Sequence, residues 1–249
     1  MTYCLGILLP SGLILASDSR SSAGVDQIAV VKKLALFEVP NERVIAILSA
    51  GNLATTQAVI TMIRQYTRHK QDLSTGAENR DILAARTMFD VAQIVGGVLR
   101  EVLRANRAFV EPYGDPNGSF LVAGQIAGEP HRLFQVYSAG NFVEASGRTQ
   151  FLQLGETKYG KPILDRALQE ASGLDEAAKL ALLSFDATVR SNLSVAPPID
   201  LLRYEADSFS TRHLAKYDSH HPYWADMRQR YSDGLTALVA SLPAPDFPA

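Results

Sequence analysis

The sequence predicts an α+β fold, a four-layer αββα sandwich. Strand-like apolar runs come in hairpin groups, and long amphipathic helices come in pairs. Along the chain these groups alternate as strands, two helices, strands, two helices, strand and helix. Two sheets packed on each other, with the helical pairs outside, let every apolar face find a partner. The 249 residues are enough for a sizeable core. No repeat, low-complexity stretch or compositional break marks a linker, so one domain over 1–249 is expected, with about 243–249 as a loose C-terminal tail.

The elements follow in order. Tyr3 to Leu9 reads as a strand, the PSG at 10–12 as a tight turn, and Leu13 to Ser17 as the second strand of a hairpin. A loop runs through Ser21 to Val25. LALFEVP and VIAILSA make a second strand pair around the polar turn PNER. At SAGNLATTQ the pattern turns helical, with Asn52 or Thr55 as N-cap and an end near His69. After the polar connection RHKQDLSTGAENR, a second helix carries Val91, Ile94, Val95, Val98, Leu99, Val102 and Leu103 on one broad face. VEPYGDPNGS is a loop of turn formers. Strands resume at Ser119 to Ile126, at Leu133 to Val136 and near Phe142 to Ala145. GETKYGKPILDRALQEA and LDEAAKLALLSFDATVRSN read as helices, and Ile199 to Glu205 as a strong strand. DSFSTRHLAKYDSHHPYW reads as irregular, and Asp226 to about Leu242 as a terminal helix.

The totals exclude several function classes. A net charge of −2 gives no electrostatic case for nucleic acid. No apolar run approaches the roughly 18–20 residues of a membrane span. The N-terminus lacks a basic n-region, and Pro10, Ser11 and Gly12 break its apolar stretch, which argues against a signal peptide. Cys4 is the only cysteine, so an intramolecular disulfide and a cysteine-rich zinc site are both excluded. A cytoplasmic protein without metal or cofactor is expected.

The chemistry concentrates in the first quarter of the chain. Methionine is normally trimmed when the next side chain is small, and Thr2 qualifies. A terminal threonine holds a hydroxyl nucleophile and an α-amine on one residue. That amine has an ordinary pKa of about 7.7–8.0 and can accept the hydroxyl proton near neutral pH. The hairpin should bring Asp18 beside Thr2. Lys32 and Lys33 stand just before the next strand. A lysine near the new N-terminus favours the neutral amine by charge repulsion, and Asp18 would hold it. LSAGN leaves a strand for a helix, so the Gly51 N–H is a donor for a developing oxyanion.

These pieces (Thr2, Gly12, ASDSRSSAG, VVKKL and LSAG) resemble the start of a catalytic proteasome β-type subunit, a family of N-terminal-nucleophile hydrolases. AGNLATTQ and RSNLSVAPPIDLLRY are most similar to the bacterial proteasome-related Anbu group, the ancestral β-subunit. The resemblance implies a threonine endopeptidase of the αββα N-terminal-nucleophile type. Thr2 is its nucleophile, Asp18 the buried acid, Lys33 the lysine beside the amine and Gly51 the oxyanion donor. The choice of Lys33 over Lys32 rests on aligning VKKL. Ser22 matches a residue whose backbone pairs with extended substrate, while Val31, Ser49 and Leu53 match the pocket for the residue before the scissile bond. Also implied are a peptide or unfolded protein substrate and a homo-oligomer, ring or spiral. The sequence names no ATPase partner.

Two stretches depart from the family pattern. LGETKYG puts Glu156 or Thr157 where a serine is expected. RSNLS puts Ser191 at an aspartate's place and Ser194 at a serine's, as supporting groups. Two alternatives stay open: an N-terminal-nucleophile amidase for a small amide substrate and, motivated by these departures, a weakly active or inactive assembly-forming relative. Asp218, His220 and His221 form a surface turn rather than a metal site. Cys4 is a small core residue. Asp186 is a solvated helix residue or a stand-in for the missing aspartate.

Overall fold

The computed structural model describes residues 1–22, 28–68 and 80–247. Most of the polar connection after the first helix, its expected end at His69, most of the loop through Val25 and the last two residues lie outside them. The first sheet has the order β10 (Phe151–Gly155), β1 (Tyr3–Leu9), β2 (Gly12–Asp18), β11 (Ile199–Glu205), β12 (Leu214–Tyr217). The second runs β5 (Leu34–Val39), β6 (Arg43–Gly51), β7 (Gly118–Ile126), β8 (Arg132–Val136), β9 (Phe142–Glu144). All pairings are antiparallel. A short hairpin, β3 (Arg20–Ser22) with β4 (Ile28–Val30), stands apart from both.

Alternation along the strands sets the layers. In β1, Cys4 packs between the sheets with Leu13, Leu15, Leu48 and Leu121. Its neighbours Tyr3, Leu5, Ile7 and Leu9 point the other way, onto the outer helices. Those helices are α3 (Lys161–Ala167), α4 (Leu174–Ser191) and α5 (Pro222–Ser241), contributing Leu164, Phe185 and Trp224 among others. On the far side, Ile45, Ile47, Phe120 and Val122 meet α1 (Leu53–Arg68) and α2 (Met88–Val110). The order is therefore helices, sheet, sheet, helices. Because both faces of the inner strands are covered, every residue of β2 is buried. That is why these strands read as continuous apolar runs instead of strict alternation.

Several boundaries differ from expectation. Asn52 is the N-cap of α1, its side chain accepting from the Thr55 N–H at 3.1 Å; Thr55 lies inside the helix. A capping box between Thr87 and Asp90 starts α2. The helix expected across GETKYG is confined to Lys161–Ala167, and FLQLG before it is a strand, β10, held by its register with β1. LAKY, expected to be irregular, is the edge strand β12, and RSS pairs as β3. In all three the pairing partner fixes as a strand a segment too short to declare one by itself. α5 begins at Pro222, four residues before Asp226.

Asp186 has neither of its expected roles. It is 1 % exposed and receives the Arg228 guanidinium of α5 at 2.5 Å. Together with Trp224, the largest fully buried side chain, this contact ties α5 to α4. Trp224→Ala removes the main apolar anchor and should cost about 3–5 kcal/mol, measured by urea unfolding followed by circular dichroism. A loss below about 1 kcal/mol would mean that α5 is not part of the cooperative core.

Candidate functional site

Thr2 precedes β1 and is fixed through its backbone. Its carbonyl accepts the Glu156 N–H at 2.8 Å. Gly155, with φ +79°, lies so close that a Cβ there would stand 1.8 Å from the Thr2 carbonyl oxygen. Only glycine fits that approach. The LGET stretch thus acts as a backbone clamp on Thr2.

The β1–β2 hairpin brings Asp18 opposite this end of β1, where Oδ1 accepts the Tyr3 N–H at 3.0 Å. Oδ2 accepts the Arg20 N–H at 3.2 Å. Asp18 is fully buried. Burial pushes its carboxyl above the ordinary carboxylate value, while the Lys33 ammonium and the N–H groups of Tyr3 and Ala196 pull it back.

Lys33, just before β5, closes the group. Its Nζ donates to Asp18 Oδ1 at 2.7 Å, to Thr2 Oγ1 at 2.8 Å and to the Arg20 carbonyl at 2.6 Å. An ammonium has three hydrogens and no lone pair. All three are used, and the Thr2 oxygen acts as acceptor, so its own proton is directed elsewhere. Lys32 is exposed. The structure therefore joins Thr2, Asp18 and Lys33, while Lys32 makes no hydrogen bond to Thr2 or Asp18 among the described residues. The Arg20 carbonyl was not foreseen, since a backbone acceptor leaves no mark on residue type.

Gly51 is the last residue of β6 rather than the first of a helix, and Asn52 alone separates it from α1. Its φ of +109° turns the chain there, and a Cβ would meet the Asn117 carbonyl at 2.5 Å. Thr2, Lys33 and Gly51 line one cleft of about 420 Å³, together with Val31, Ser49 and Leu53. Ser21 also lines it, and the Ser22 backbone pairs with Ile28 in the β3–β4 hairpin. Cys4 lies beneath the cleft, donating to the Ser49 carbonyl at 3.5 Å, and burial pushes its thiol up. A buried neutral thiol is no competing nucleophile.

The two departures meet each other. Glu156 is buried, and its carboxylate accepts the Asn192 side-chain amide at 2.9 Å. Asn192 Oδ1 in turn accepts the Ser194 N–H at 2.9 Å. Ser191 is exposed at the end of α4, and no hydrogen bond among the described residues joins its side chain or that of Ser194 to Thr2. The group that links RSNLS to LGETKYG is Asn192 with Glu156. Among the described residues, no group of three or more His, Cys, Asp and Glu side chains is placed to hold a metal. His221 stands at the N-cap position of α5 without a side-chain cap hydrogen bond and meets the Tyr217 ring edge-on, while Asp218 accepts the His220 N–H. No helix among the described residues is long and apolar enough to cross a membrane.

No protein-family model and no curated protein matches the chain. Solved structures do. Anbu (ancestral beta-subunit) from Yersinia bercovieri is 40% identical over 99% of this chain and 100% of its own, with a TM-score of 0.90. The chain belongs to the proteasome-related Anbu family. Anbu from Hyphomicrobium sp. strain MC1 is 43% identical, covering 98% of this chain and 100% of its own, with a TM-score of 0.89. A structure described as the helical assembly of the Anbu complex from Pseudomonas aeruginosa is 41% identical over 98% of each chain, with a TM-score of 0.91. The Anbu resemblance first visible in AGNLATTQ and RSNLSVAPPIDLLRY therefore extends over nearly the whole length.

Two outcomes test this geometry. Gly155→Ala should displace the Thr2 backbone and destabilise the protein by about 1–3 kcal/mol, measured by denaturant unfolding; a neutral substitution would mean that the clamp is not needed. Asp18 should take its proton at a pH above the ordinary value of about 3.9, read from its carboxyl carbon by NMR. A carboxyl with a raised folded pKa contributes stability below its unfolded pKa, and that contribution is lost as the pH rises through the folded value. A midpoint at or below the ordinary value would contradict this.

Proposed function

We propose that this Anbu protein is a threonine peptidase whose nucleophile is Thr2 after loss of Met1. The observation that carries the reading is the placement of Lys33 Nζ 2.8 Å from Thr2 Oγ1 and 2.7 Å from Asp18. Met1 is exposed at 58 %, which leaves it open to an aminopeptidase, and the small Thr2 side chain suits that trimming.

The chemistry follows from the atoms present after trimming. The Thr2 α-amine, kept neutral by the neighbouring Lys33 charge, takes the Oγ1 proton as the oxygen attacks an amide carbonyl. The Gly51 N–H donates to the oxyanion that forms. The ammonium then returns its proton to the departing amine, leaving an acyl ester on Oγ1. Water, activated by the same amine, hydrolyses the ester and restores Thr2. Lys33 takes no proton in this cycle, because its three hydrogens and its charge are already committed. Val31, Ser49 and Leu53 would receive the side chain before the scissile bond, and the β3 strand would align an extended peptide or unfolded segment. The helical assembly described for the Pseudomonas aeruginosa relative supports self-association of this chain as well.

Intact mass and hydrolysis of a fluorogenic peptide test the reading together. Purified protein should lack Met1, and Thr2→Ala should lower kcat by at least about 10³-fold. Lys33→Ala should lower it by about 10²-fold or more through the loss of one charge beside the amine and hydroxyl. Met1 kept on every molecule, or equal turnover by wild type and Thr2→Ala, would leave an assembly-forming protein without this activity.

A further inference from the structure

The cleft beside Thr2 extends well past the residues that touch the nucleophile. One face of α1 forms its long wall: Leu53, Thr56, Gln57, Ile60, Thr61 and Arg64, at successive steps of three and one. Those steps keep all six on one helical stripe. The stripe begins two residues after Gly51 and ends eleven residues later, about 16 Å along the helix axis. Its near end is apolar, its middle offers the Gln57 amide and the Thr61 hydroxyl, the Thr56 hydroxyl being spent on the Asn52 carbonyl, and its far end is a guanidinium.

The charges of the cleft are one-sided. Among the described residues, Lys32, Lys33 and Arg64 line it and no aspartate or glutamate does. Lys33 is spent on Asp18, Thr2 and the Arg20 carbonyl. Lys32 lies in the field of the partly buried Asp200, whose carboxylate also faces Lys216. Arg64 is exposed, and among the described residues its side chain has no hydrogen bond or ion pair. It is the one cleft cation there without a protein counter-charge or acceptor. The Cα–Cβ bonds of a helix tilt toward its N-terminus, so the Arg64 side chain sets out along the stripe on the side of Thr61 and Gln57, and it lines the same cleft as Thr2.

We propose that Arg64 makes the cleft selective for acidic substrate side chains, glutamate above all, in the segment acylating Thr2. This rests on the reading of Thr2 as nucleophile and adds to it a substrate class. A guanidinium binds a carboxylate through two parallel N–H donors, the strongest pairing open to it. The longer glutamate side chain carries its carboxylate farther along the stripe than aspartate does, toward Gln57 and into the field of Arg64. A lysine or arginine in the same place would meet only like charge.

The test uses the full-length protein and four peptide coumarin amides that differ only in the residue before the scissile bond: Glu, Gln, Leu or Arg. In wild type at low salt, kcat/KM for Glu should exceed that for Gln by about tenfold, the scale of one charge-assisted pair. The ratio should fall to about one in Arg64→Gln and shrink as salt rises. Hydrolysis with equal rates for Glu and Gln, or a ratio unchanged in Arg64→Gln, would overturn the proposal and leave the peptidase reading intact. A second arm measures binding of fluorescent Glu and Gln peptides to Thr2→Ala, by anisotropy. Tighter Glu binding that needs Arg64 supports the cleft assignment even if no amide is cleaved, in which case only the peptidase reading fails. Equal binding of the two peptides overturns it.

Discussion

A buried ammonium must have every hydrogen accepted, and at Lys33 the three acceptors come from three separate stretches of chain. Asp18 ends β2, Arg20 opens β3 and Thr2 stands before β1. None of these can move without leaving a charge or a donor unpaired in a place where water does not compensate. The remaining structure around the site can be understood as what holds those three stretches together. The β1–β2 hairpin sets Asp18 opposite Tyr3, β11 covers its other side, and β10 grips Thr2 through Gly155 and Glu156.

The layers matter for the same reason. Strands covered on both faces leave the ends of β1 and β2 little freedom, and so the hydroxyl, the carboxylate and the ammonium stay in register. β6 and α1 belong to the second sheet and its helices, and they bring the Gly51 turn and the cleft wall to the same place. The site thus lies where the two sheets present their ends side by side. Electrostatically it is divided. Asp18 and Lys33 neutralise each other below the hydroxyl, while among the described residues the far wall of the cleft carries the Arg64 charge.

Much of this was legible in the residues. The alternating groups of apolar runs pointed to two sheets with outer helices. The threonine behind Met1, the aspartate at the hairpin end and the VVKKL lysines pointed to one site. What escaped was held by backbone geometry or by pairing. FLQLG and LAKY become strands because β1 and β11 offer them edges, a fact no five-residue window contains. The choice between Lys32 and Lys33 needed the direction of each side chain. The role of Glu156 and Asn192 was hidden because the two residues are 36 positions apart. Asp186 looked like a surface helix residue, since its burial depends on where α5 folds back.

In the proposed peptidase, Thr2 carries a reactive hydroxyl and a free amine together, organised by Lys33 and Asp18. A peptide epoxyketone tests both groups in one reaction, because a stable ring forms only when oxygen and nitrogen of the same terminal residue add to it. Intact mass after incubation should show Met1-free protein plus one reagent, and no adduct on Thr2→Ala. Met1-free wild-type protein that stays unmodified under the same conditions would contradict the claim.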